Sequence, residues 1–573
     1  MSGIAILLIA IVVLVIAYIT YGSWLAKQWG VDPKRKTPAH EINDGLDYVP
    51  AKAPVLLGHH FSSIAGAGPI NGPIQAAIFG WVPVLLWVII GGIFFGAMHD
   101  FGSLFASARH KGQSIGVIIQ DNIGSRAKKL FIIFAYLTLL LVVAAFASIV
   151  AGTFNGFAAD GAKIPTNGTA AMISVLFIPI AMIFGIMVYR RNAPLLVSTI
   201  VGCALIVAII IIGLKVQIYL SMNTWLVLIA IYIIAASVTP VWILLQPRDY
   251  LCSFLLYGMM AAAMIGIFAT NPQMNLEASY GFKGIAGNNF MFPILFITVA
   301  CGAISGFHSL VSSGTTAKQL YNEKDAKLIG YGGMLIECVL AVISLIAVGY
   351  LSTSTKLATG TPTQIFASGL ATMIDTLFGG AKGEAYNTAY ALMILAVSAF
   401  ALTSLDTATR LARYMFAEFF LGEGETRENA TGFKKFITNP WVGTLITVFL
   451  GVYLAVGGYA KIWPLFGAAN QLLAGLALLA VASWLGNIGK NNKMFIIPMV
   501  FMLVATISSL GITFYQRLMA VTGGSTESAM ILQMLFAAIL IILSITLIIE
   551  GVQTFAKQAK GQKSGVHAVN RAK

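Results

Sequence analysis

The sequence predicts an all-α, polytopic integral membrane protein with about fifteen transmembrane helices. Of its 573 residues, 58% are hydrophobic and only 10% are charged. Apolar runs of about 20 residues, the length that crosses about 30 Å of hydrocarbon, recur along the whole chain. The basic side chains lie in short loops between these runs, as membrane topology requires. The formal net charge of +14 therefore reflects loop charges and does not indicate binding to nucleic acid.

The apolar runs set the approximate limits of the predicted spans. The first run has no basic segment before it and no cleavage site after it, so we expect a retained helix and not a signal peptide. The four cysteines lie within apolar runs without metal-ligand spacing, and we expect them to be buried as small hydrophobic residues. The predicted spans are 4–26, 55–80, 83–108, 128–155, 168–189, 193–214, 222–246, 250–270, 291–316, 329–350, 385–415, 440–458, 462–485, 494–516 and 527–550.

The loop charges predict the orientation of the chain. With the N-terminus outside and every second loop inside, all but seven of the 35 Lys and Arg residues lie on the inner side. The positive-inside rule therefore predicts a multi-pass protein of the cell membrane with its C-terminus in the cytoplasm. The seven basic residues of the outer side are Lys163, Lys215, Lys283, Lys356, Lys382, Lys461 and Arg517.

The predicted span 55–80 is a poor candidate for a continuous helix. Three glycines and two prolines fall within Gly66–Pro73, and each Gly costs about 1 kcal/mol and each Pro about 3 kcal/mol in a helix interior. A broken helix at membrane depth is tolerated only where it faces protein or a water-filled cavity. Transporters bind substrates at such breaks. The alternative interpretation is a kinked helix that serves only packing.

A second span, 291–316, repeats this chemistry. Between Cys301 and Thr316 it has small residues, a histidine, paired serines and glycines. In the predicted topology the two spans run in opposite directions and each opens a set of five helices, which indicates an inverted repeat. The predicted units are an N-terminal helix with a cytoplasmic loop (1–54), the first repeat (55–214), an inserted helix pair with an outer loop (215–290), the inverted second repeat (291–485), and two peripheral helices with a basic cytoplasmic tail (486–573).

Polar groups on the two broken spans are the predicted substrate ligands. Backbone amides freed at a break and nearby hydroxyls suit a small carboxylate, and helix N-termini add favourable potential. The predicted substrate-binding residues are His59, His60, Ser62, Ser63, Gly66, Gly68, Ser305, His308 and Ser312.

Ionisable residues within other spans are candidate coupling groups, because burying a charge there costs at least about 2.5 kcal/mol. Hydroxyls and one carboxylate on an apolar helix suit either a hard cation or a proton. The alternative is a structural pair between Asp406 and Arg410, one turn further along the helix. The predicted ion-coupling residues are Thr403, Ser404, Asp406 and Thr407.

The remaining ionisable residues within spans are candidates for proton transfer. His99, Asp100 and Glu337 are the predicted proton-relay residues, with anchoring of a helix end as the alternative. The histidines lack i,i+4 spacing, and no Cys or Glu completes a ligand set in the sequence, so we predict hydrogen-bonding or titrating histidines and no metal site. No cofactor is predicted, and the coupling ion is a proton or sodium.

A location and a structural role are predicted for two further segments of the sequence. The stretch from Gln364 to Phe378 in an outer loop is either a re-entrant helix over an outer vestibule or a surface helix. The stretch from Thr239 to Tyr250 closes the inserted helix pair on the inner side, and we expect a structural or gating hinge there.

Four motifs together resemble the carbon starvation protein A (CstA) family over nearly the whole chain. The resemblance implies a secondary transporter of the amino acid–polyamine–organocation superfamily, with a LeuT-like five-plus-five inverted repeat, two broken helices and extra helices. It also implies import of peptides or pyruvate when carbon is scarce. Thr403 and Ser404 resemble the hydroxyl pair that lines a cation site in sodium-coupled relatives of this architecture. The motifs are Gly58–Pro69, Pro240–Trp242 with Gln246–Leu251, Ser305–His308 with Ser312–Thr316, and Leu405–Arg410.

We therefore expect ion-coupled import of a small carboxylate, pyruvate first, across a lipid bilayer. The alternative is uptake of di- or tripeptides or amino acids, which needs a larger cavity and an acidic partner such as Asp100 or Glu337. A channel is disfavoured by the two antiparallel broken helices. An enzyme is disfavoured because the sequence has no nucleophile motif, nucleotide loop or metal signature. No nucleic-acid partner is predicted, and no oligomeric state is assigned.

Overall fold

The structure is a computed structural model that describes residues 1–287, 289–380, 382–422, 425, 427–523 and 528–560. These residues form helices and four isolated β-bridges, with no β-strand among them. The helices of the N-terminal half are α1 (Gly3–Ile19), α2 (Tyr21–Trp29), α3 (Pro38–Glu41), α4 (Ala53–Ala65), α5 (Gly68–Ala76), α6 (Trp81–Gly91), α7 (Met98–Arg109), α8 (Ile115–Asn122), α9 (Ser125–Phe154), α10 (Pro165–Gly185), α11 (Leu195–Lys215), α12 (Met222–Val238) and α13 (Leu245–Thr270).

The C-terminal half continues with helices of similar length. Three short π-helical segments also extend or join helices, at Gly92–Ala97, Ile186–Arg190 and Lys327–Gly332. The helices are α14 (Met291–Thr298), α15 (Gly306–Gly314), α16 (Gly333–Leu351), α17 (Pro362–Thr376), α18 (Glu384–Phe420), α19 (Gly432–Ile437), α20 (Pro440–Ala455), α21 (Tyr459–Asn487), α22 (Lys493–Thr522) and α23 (Ser528–Ala559).

Within the described part of the chain, 11 helical runs are long and apolar enough to cross a membrane, and α12 and α20 are shorter apolar helices. The all-α, polytopic class is confirmed, while the total of fifteen spans stays a prediction. The predicted span 222–246 is too long, because α12 ends at Val238 and Thr239 adopts an extended conformation. The helical conformation is disfavoured for a residue that precedes a proline, and Thr239 directly precedes Pro240.

The first predicted break is real but shorter than the composition indicates. Helix α4 ends at Ala65, and Gly66 has φ of 24°, a region that favours glycine. Helix α5 then begins at Gly68 and includes both prolines of the motif. Pro69 lies in the first turn, where its missing N–H is not needed. The expectation of an interruption through Pro73 is therefore wrong.

The second break lies at the N-terminal end of its motif. Helix α14 ends at Thr298 and α15 begins at Gly306. The part of the motif from Gly306 to Gly314 is helical, because Asn470 of α21 accepts a hydrogen bond from the Phe307 amide at 2.8 Å and so satisfies the start of α15. Capping of this kind satisfies a backbone donor that has no partner in the helix.

The two breaks are in direct contact. A Cβ atom added to Gly68 would lie 2.4 Å from both Cβ and Sγ of Cys301, and one added to Gly72 would lie 2.9 Å from the Thr298 carbonyl oxygen. Only glycine allows the start of α5 to approach the second break this closely. Helix α4 packs against α13 and α18, while α15 packs against α7 and α21. The division into repeats stays a prediction.

Candidate functional site

A network of mostly buried polar side chains lies close to the first break and is here named the carboxylate cluster: His59, Tyr232, Arg248, Asp249 and Asp406. His59 Nδ1 lies 2.8 Å from Asp249 Oδ2. Arg248 donates to Asp249 Oδ1 at 3.2 Å and also to Asp406. Tyr232 donates its hydroxyl proton to Asp406 Oδ2 at 2.7 Å. Four helices, α4, α12, α13 and α18, therefore meet through one network.

The formal charges of the carboxylate cluster do not cancel. Asp249 and Asp406 contribute two negative charges and Arg248 contributes one positive charge. These three side chains are at most 2% exposed, and an uncompensated charge at such depth is costly. The charges of these three side chains therefore sum to one net negative charge.

Hydroxyl groups connect the first break to the carboxylate cluster. Ser62 donates to the Asp249 carbonyl oxygen at 3.0 Å, and the Ser63 hydroxyl lies 3.4 Å from Asp249 Oδ2 and 3.2 Å from the Thr407 hydroxyl. Ser404 donates to the Ser63 carbonyl oxygen at 2.9 Å. The structure thus brings predicted substrate-binding serines together with predicted ion-coupling residues of α18.

Three further predicted residues lie near this network. A Cβ added to Gly66 would meet the Ser404 hydroxyl at 2.9 Å, so the break itself contacts α18. Thr403 is buried beside Cys252 of α13. His60 Nδ1 lies 2.9 Å from the Thr316 hydroxyl.

The predicted pair between Asp406 and Arg410 is not formed. Asp406 binds Arg248 instead, while Arg410 lies 3.2 Å from Asp47 and donates to the Ala236 carbonyl oxygen at 2.8 Å. The reason is that α13 brings a competing guanidinium to one side of α18, and the end of α12 offers free carbonyls on the other. The group formed by Arg410 and Asp47, with the Tyr414 hydroxyl also donating to Asp47, is here named the Asp47 latch.

Asp47 lies in the loop between α3 and α4, outside the predicted spans. Burial raises the pKa of its carboxyl group, but the charges of Lys318 and Arg410 and the Tyr414 hydrogen bond outweigh burial. The pKa of Asp47 is therefore lowered from its ordinary value. The latch remains charged at every physiological pH.

Sequence reasoning did not name Tyr232, and it assigned the stretch with Arg248 and Asp249 to a structural or gating hinge. In the structure Arg248 and Asp249 lie in the first turns of α13, are buried and contact each other. An adjacent Arg and Asp at the start of an apolar helix was the available signal, because such residues are rarely buried without partners.

A second buried group, here named the histidine cluster, consists of His99, Asp100, His308 and Glu337. His99 Nδ1 and His308 Nδ1 each lie 2.8 Å from one oxygen of Asp100. His308 Nε2 lies 3.6 Å from Glu337 Oε2. All four side chains are fully buried. The structure thus brings the three predicted relay residues together with a predicted substrate-binding histidine.

Cys301 extends the histidine cluster toward the breaks. Its sulfur and ligand atoms of His308 and Glu337 all lie within 4.8 Å of one another. The expectation that no Cys or Glu joins the histidines is therefore wrong, because the fold brings the second break beside α16. Ser305 lies 3.5 Å from the Cys301 sulfur and also binds Asn470.

The predicted substrate-binding residues divide between the two clusters. His59, Ser62, Ser63 and Gly66 adjoin the carboxylate cluster, whereas Gly68, Ser305 and His308 adjoin the histidine cluster. His60 contacts Thr316, just beyond the end of α15, instead. Ser312 is fully buried in α15, and its hydroxyl has no hydrogen-bond partner among the described residues.

A cavity of about 240 Å³ adjoins α5. The first residues of α17 line it, and much of α17 is buried, so the re-entrant interpretation of this segment is favoured over a surface helix. Helix N-termini carry positive potential. The polar residues that line the cavity are Asn71, Ser148, Thr153, Asn167, Thr361, Thr363, Gln364 and Tyr390.

Comparison with solved structures shows the fold. A manganese transporter of Eremococcus coleocola matches with a TM-score of 0.52 and 11% sequence identity, over 90% of this chain and 99% of that one. This likeness confirms the predicted LeuT-like transporter fold and carries no information about the transported substance.

Comparison with protein sequences shows the family. The family model described as "Carbon starvation protein CstA" matches residues 2–359 and 351–509. "Peptide transporter CstA" of Campylobacter jejuni is 34% identical, over 88% of this chain and 79% of the relative. "Pyruvate/proton symporter BtsT" of Escherichia coli is 31% identical, over 90% of this chain and 82% of the relative. The chain therefore belongs to the carbon starvation protein CstA family of multi-pass membrane transporters.

Proposed function

We propose that this transporter imports a small carboxylate, pyruvate first, by alternating access coupled to protons. The observation that carries the proposal is the carboxylate cluster, because it joins the first broken helix to α13 and α18 and lacks one positive charge. The proposal includes the orientation predicted from the loop charges, with the N-terminus outside and the C-terminus in the cytoplasm.

Arg248 favours a proton over sodium as the coupling ion. The hydroxyls of Ser404 and Thr407 and the carboxylate of Asp406 are oxygen ligands that a sodium ion could use. The guanidinium of Arg248 already compensates Asp406, however, and would repel a second cation strongly in this buried environment. A proton needs no shell of free oxygen ligands, because His59 Nδ1 and Asp249 Oδ2, which lie 2.8 Å apart, can share it.

The contacts that the buried aspartates already make favour an anionic substrate. Asp100, Asp249 and Asp406 each contact a histidine or an arginine. A peptide or amino acid would need an acidic partner for its ammonium group, and these three are already engaged. A small carboxylate needs donors instead, and the N-terminus of α5 at the break supplies backbone amides. The name of the Escherichia coli relative, a pyruvate/proton symporter, supports the same assignment.

Peptide import is the second candidate. Relatives from Campylobacter jejuni and Bacillus subtilis carry the name "Peptide transporter CstA". The cavity beside α5 is also larger than a three-carbon acid requires. Glu337, whose oxygens have no hydrogen-bond partner among the described residues, would be the partner for the peptide ammonium group.

Transport assays in proteoliposomes test the proposal. Uptake of labelled pyruvate and of labelled di- and tripeptides is measured with a proton gradient or a sodium gradient imposed separately. We expect saturable pyruvate uptake that requires the proton gradient and no sodium. Uptake of peptides alone would overturn the substrate assignment, and sodium-driven uptake would overturn the assignment of the ion. Flux that stays proportional to the driving force without saturation would indicate a channel.

A further inference from the structure

We propose that Cys301, His308 and Glu337, here named the metal triad, bind a divalent transition-metal ion, with zinc as the best match. The three residues come from the second break, the first turn of α15 and α16. Their ligand atoms lie within 4.8 Å of one another, and all three side chains are at most 3% exposed. The inference does not depend on the proposed import of pyruvate, but a metal ion on Glu337 would exclude this residue as the partner of a peptide ammonium group.

Unsatisfied polar atoms point into the metal triad. His308 Nε2 and both carboxylate oxygens of Glu337 are buried and have no hydrogen-bond partner among the described residues. A buried polar atom without a partner is costly, and an unpaired carboxylate especially so. One cation between these atoms would satisfy all of them at once.

The surroundings of His308 prepare its free nitrogen for metal binding. Asp100 Oδ2 lies 2.8 Å from His308 Nδ1, so the ionised carboxylate accepts the Nδ1 proton. The lone pair of Nε2 then faces Glu337 at 3.6 Å. A carboxylate that holds the outer nitrogen of a ligating histidine is the usual arrangement in metal sites. His99 binds the other oxygen of Asp100 and fixes its orientation.

The ligand types and charges select the metal. A Cys301 thiolate and a Glu337 carboxylate together balance a divalent cation, and His308 is neutral, so the loaded site carries no net charge. Mixed sulfur, nitrogen and oxygen ligands are typical of zinc, whereas calcium and magnesium prefer oxygen alone. Zinc bond lengths place tetrahedral ligand atoms about 3.3–3.8 Å apart. Side-chain rotations that move the ligand atoms by about 1 Å would bring them to this spacing around the ion.

Metal content is the first test. The full-length protein, purified in detergent after growth with zinc, is analysed by inductively coupled plasma mass spectrometry. We expect one equivalent of zinc per chain, most of which is lost in Cys301→Ser and in Glu337→Gln. Asp100→Asn keeps the three ligands but weakens binding about 10- to 100-fold. Cys203→Ser is the matched control, because Cys203 lies on α11 away from the triad and should keep its zinc.

Cobalt spectroscopy identifies the ligand directly. Wild-type protein and Cys203→Ser loaded with Co²⁺ should show thiolate-to-cobalt charge-transfer absorption in the near ultraviolet, and Cys301→Ser should not. If Cys301→Ser fails to fold, thermal unfolding of the wild type decides: Zn²⁺ should raise its Tm and Mg²⁺ should not. If the wild-type protein binds neither Zn²⁺ nor Co²⁺, the proposal is overturned. The contact between Glu337 and His308 would then be explained by a shared proton. Unchanged zinc in a folded Cys301→Ser variant would also overturn the proposal.

Discussion

Arg248 of α13 donates a hydrogen bond to Asp406 of α18, and both side chains are almost completely buried. The same guanidinium binds Asp249, so one cation holds two carboxylates from two helices beside the first break. Removal of one member leaves an unpaired buried charge, which costs far more than the net gain from forming the pair.

Substitution Arg248→Gln should lower the free energy of unfolding by about 3–5 kcal/mol, because Asp249 and Asp406 lose their counter-charge. The double variant Arg248→Gln with Asp406→Asn should recover much of this loss, since it removes the unpaired carboxylate as well. Thermal unfolding in detergent measures both effects. A double variant no more stable than the single one would show that the two side chains are not coupled.

Substitution Asp406→Asn should abolish accumulation of pyruvate against its gradient and partly retain exchange. Exchange needs only the substrate site, whereas accumulation needs the coupling ion. Counterflow and gradient-driven uptake in the same proteoliposomes separate the two. Asp160→Asn, on an exposed loop, is the control and should behave as wild type. An unchanged ratio of protons to pyruvate would exclude Asp406 from the coupling site.

Substitution His59→Gln should reduce the proton flux that accompanies pyruvate uptake in proteoliposomes. Glutamine keeps a hydrogen bond to Asp249 but does not take up a proton. A pH-sensitive dye inside the liposomes reports the accompanying proton flux. His40→Gln, an exposed histidine, serves as the control. Proton flux equal to that of the wild type would assign coupling to another group.

Substitution Gly68→Ala should reduce uptake strongly and destabilise the protein by about 1–3 kcal/mol, the usual range for an overpacked site. The new methyl group would lie 2.4 Å from Cys301. Gly511→Ala, in α22, is the matched control, because a Cβ at Gly511 meets no atom within 4 Å, and it should be neutral or stabilising. Normal uptake by Gly68→Ala would show that the breaks separate more readily than their contact indicates.

Substitution Asp47→Asn should remove the charged latch on the side predicted to be cytoplasmic and speed substrate exchange from that side. Because the folded-state pKa of Asp47 is lowered, the latch adds stability at all pH values above the unfolded pKa of about 4 and loses it as the pH falls below that. The Tm difference between wild type and Asp47→Asn should therefore be constant near neutrality and shrink below about pH 4. Glu41→Gln, an exposed neighbour, is the control, and a difference that grows in acid would contradict the assignment.

Local sequence patterns predicted the membrane class and both breaks, because these depend on composition within about twenty residues. Gly66 and the residues around it marked the first break without any knowledge of the fold. The pairing of Arg248 with Asp406 was not predictable in this way, since the two residues are 158 positions apart. Local periodicity carries no information about such partners.

The histidine cluster also shows what local sequence patterns cannot predict. His308, Asp100 and Glu337 were each identified as unusual within an apolar span, but their proximity follows from the packing of α7 against α15 and from the approach of Glu337 in α16 to His308. Cys301 was expected to be an ordinary buried hydrophobic residue, because a thiol within an apolar run has no local feature that separates a ligand from a filler. The position of Cys301 beside His308 and Glu337 becomes visible only in the fold.

The contact between Gly68 and Cys301 constrains how the molecule can move. Because not even one methyl group fits between them, rotation of a side chain cannot open a path there. An opening at this contact would require α5 and the segment that carries Cys301 to separate as units, since packed interfaces switch between discrete arrangements and do not deform continuously. For the proposed alternating access, the contact therefore favours a rocking motion of whole helices over the rotation of single side chains.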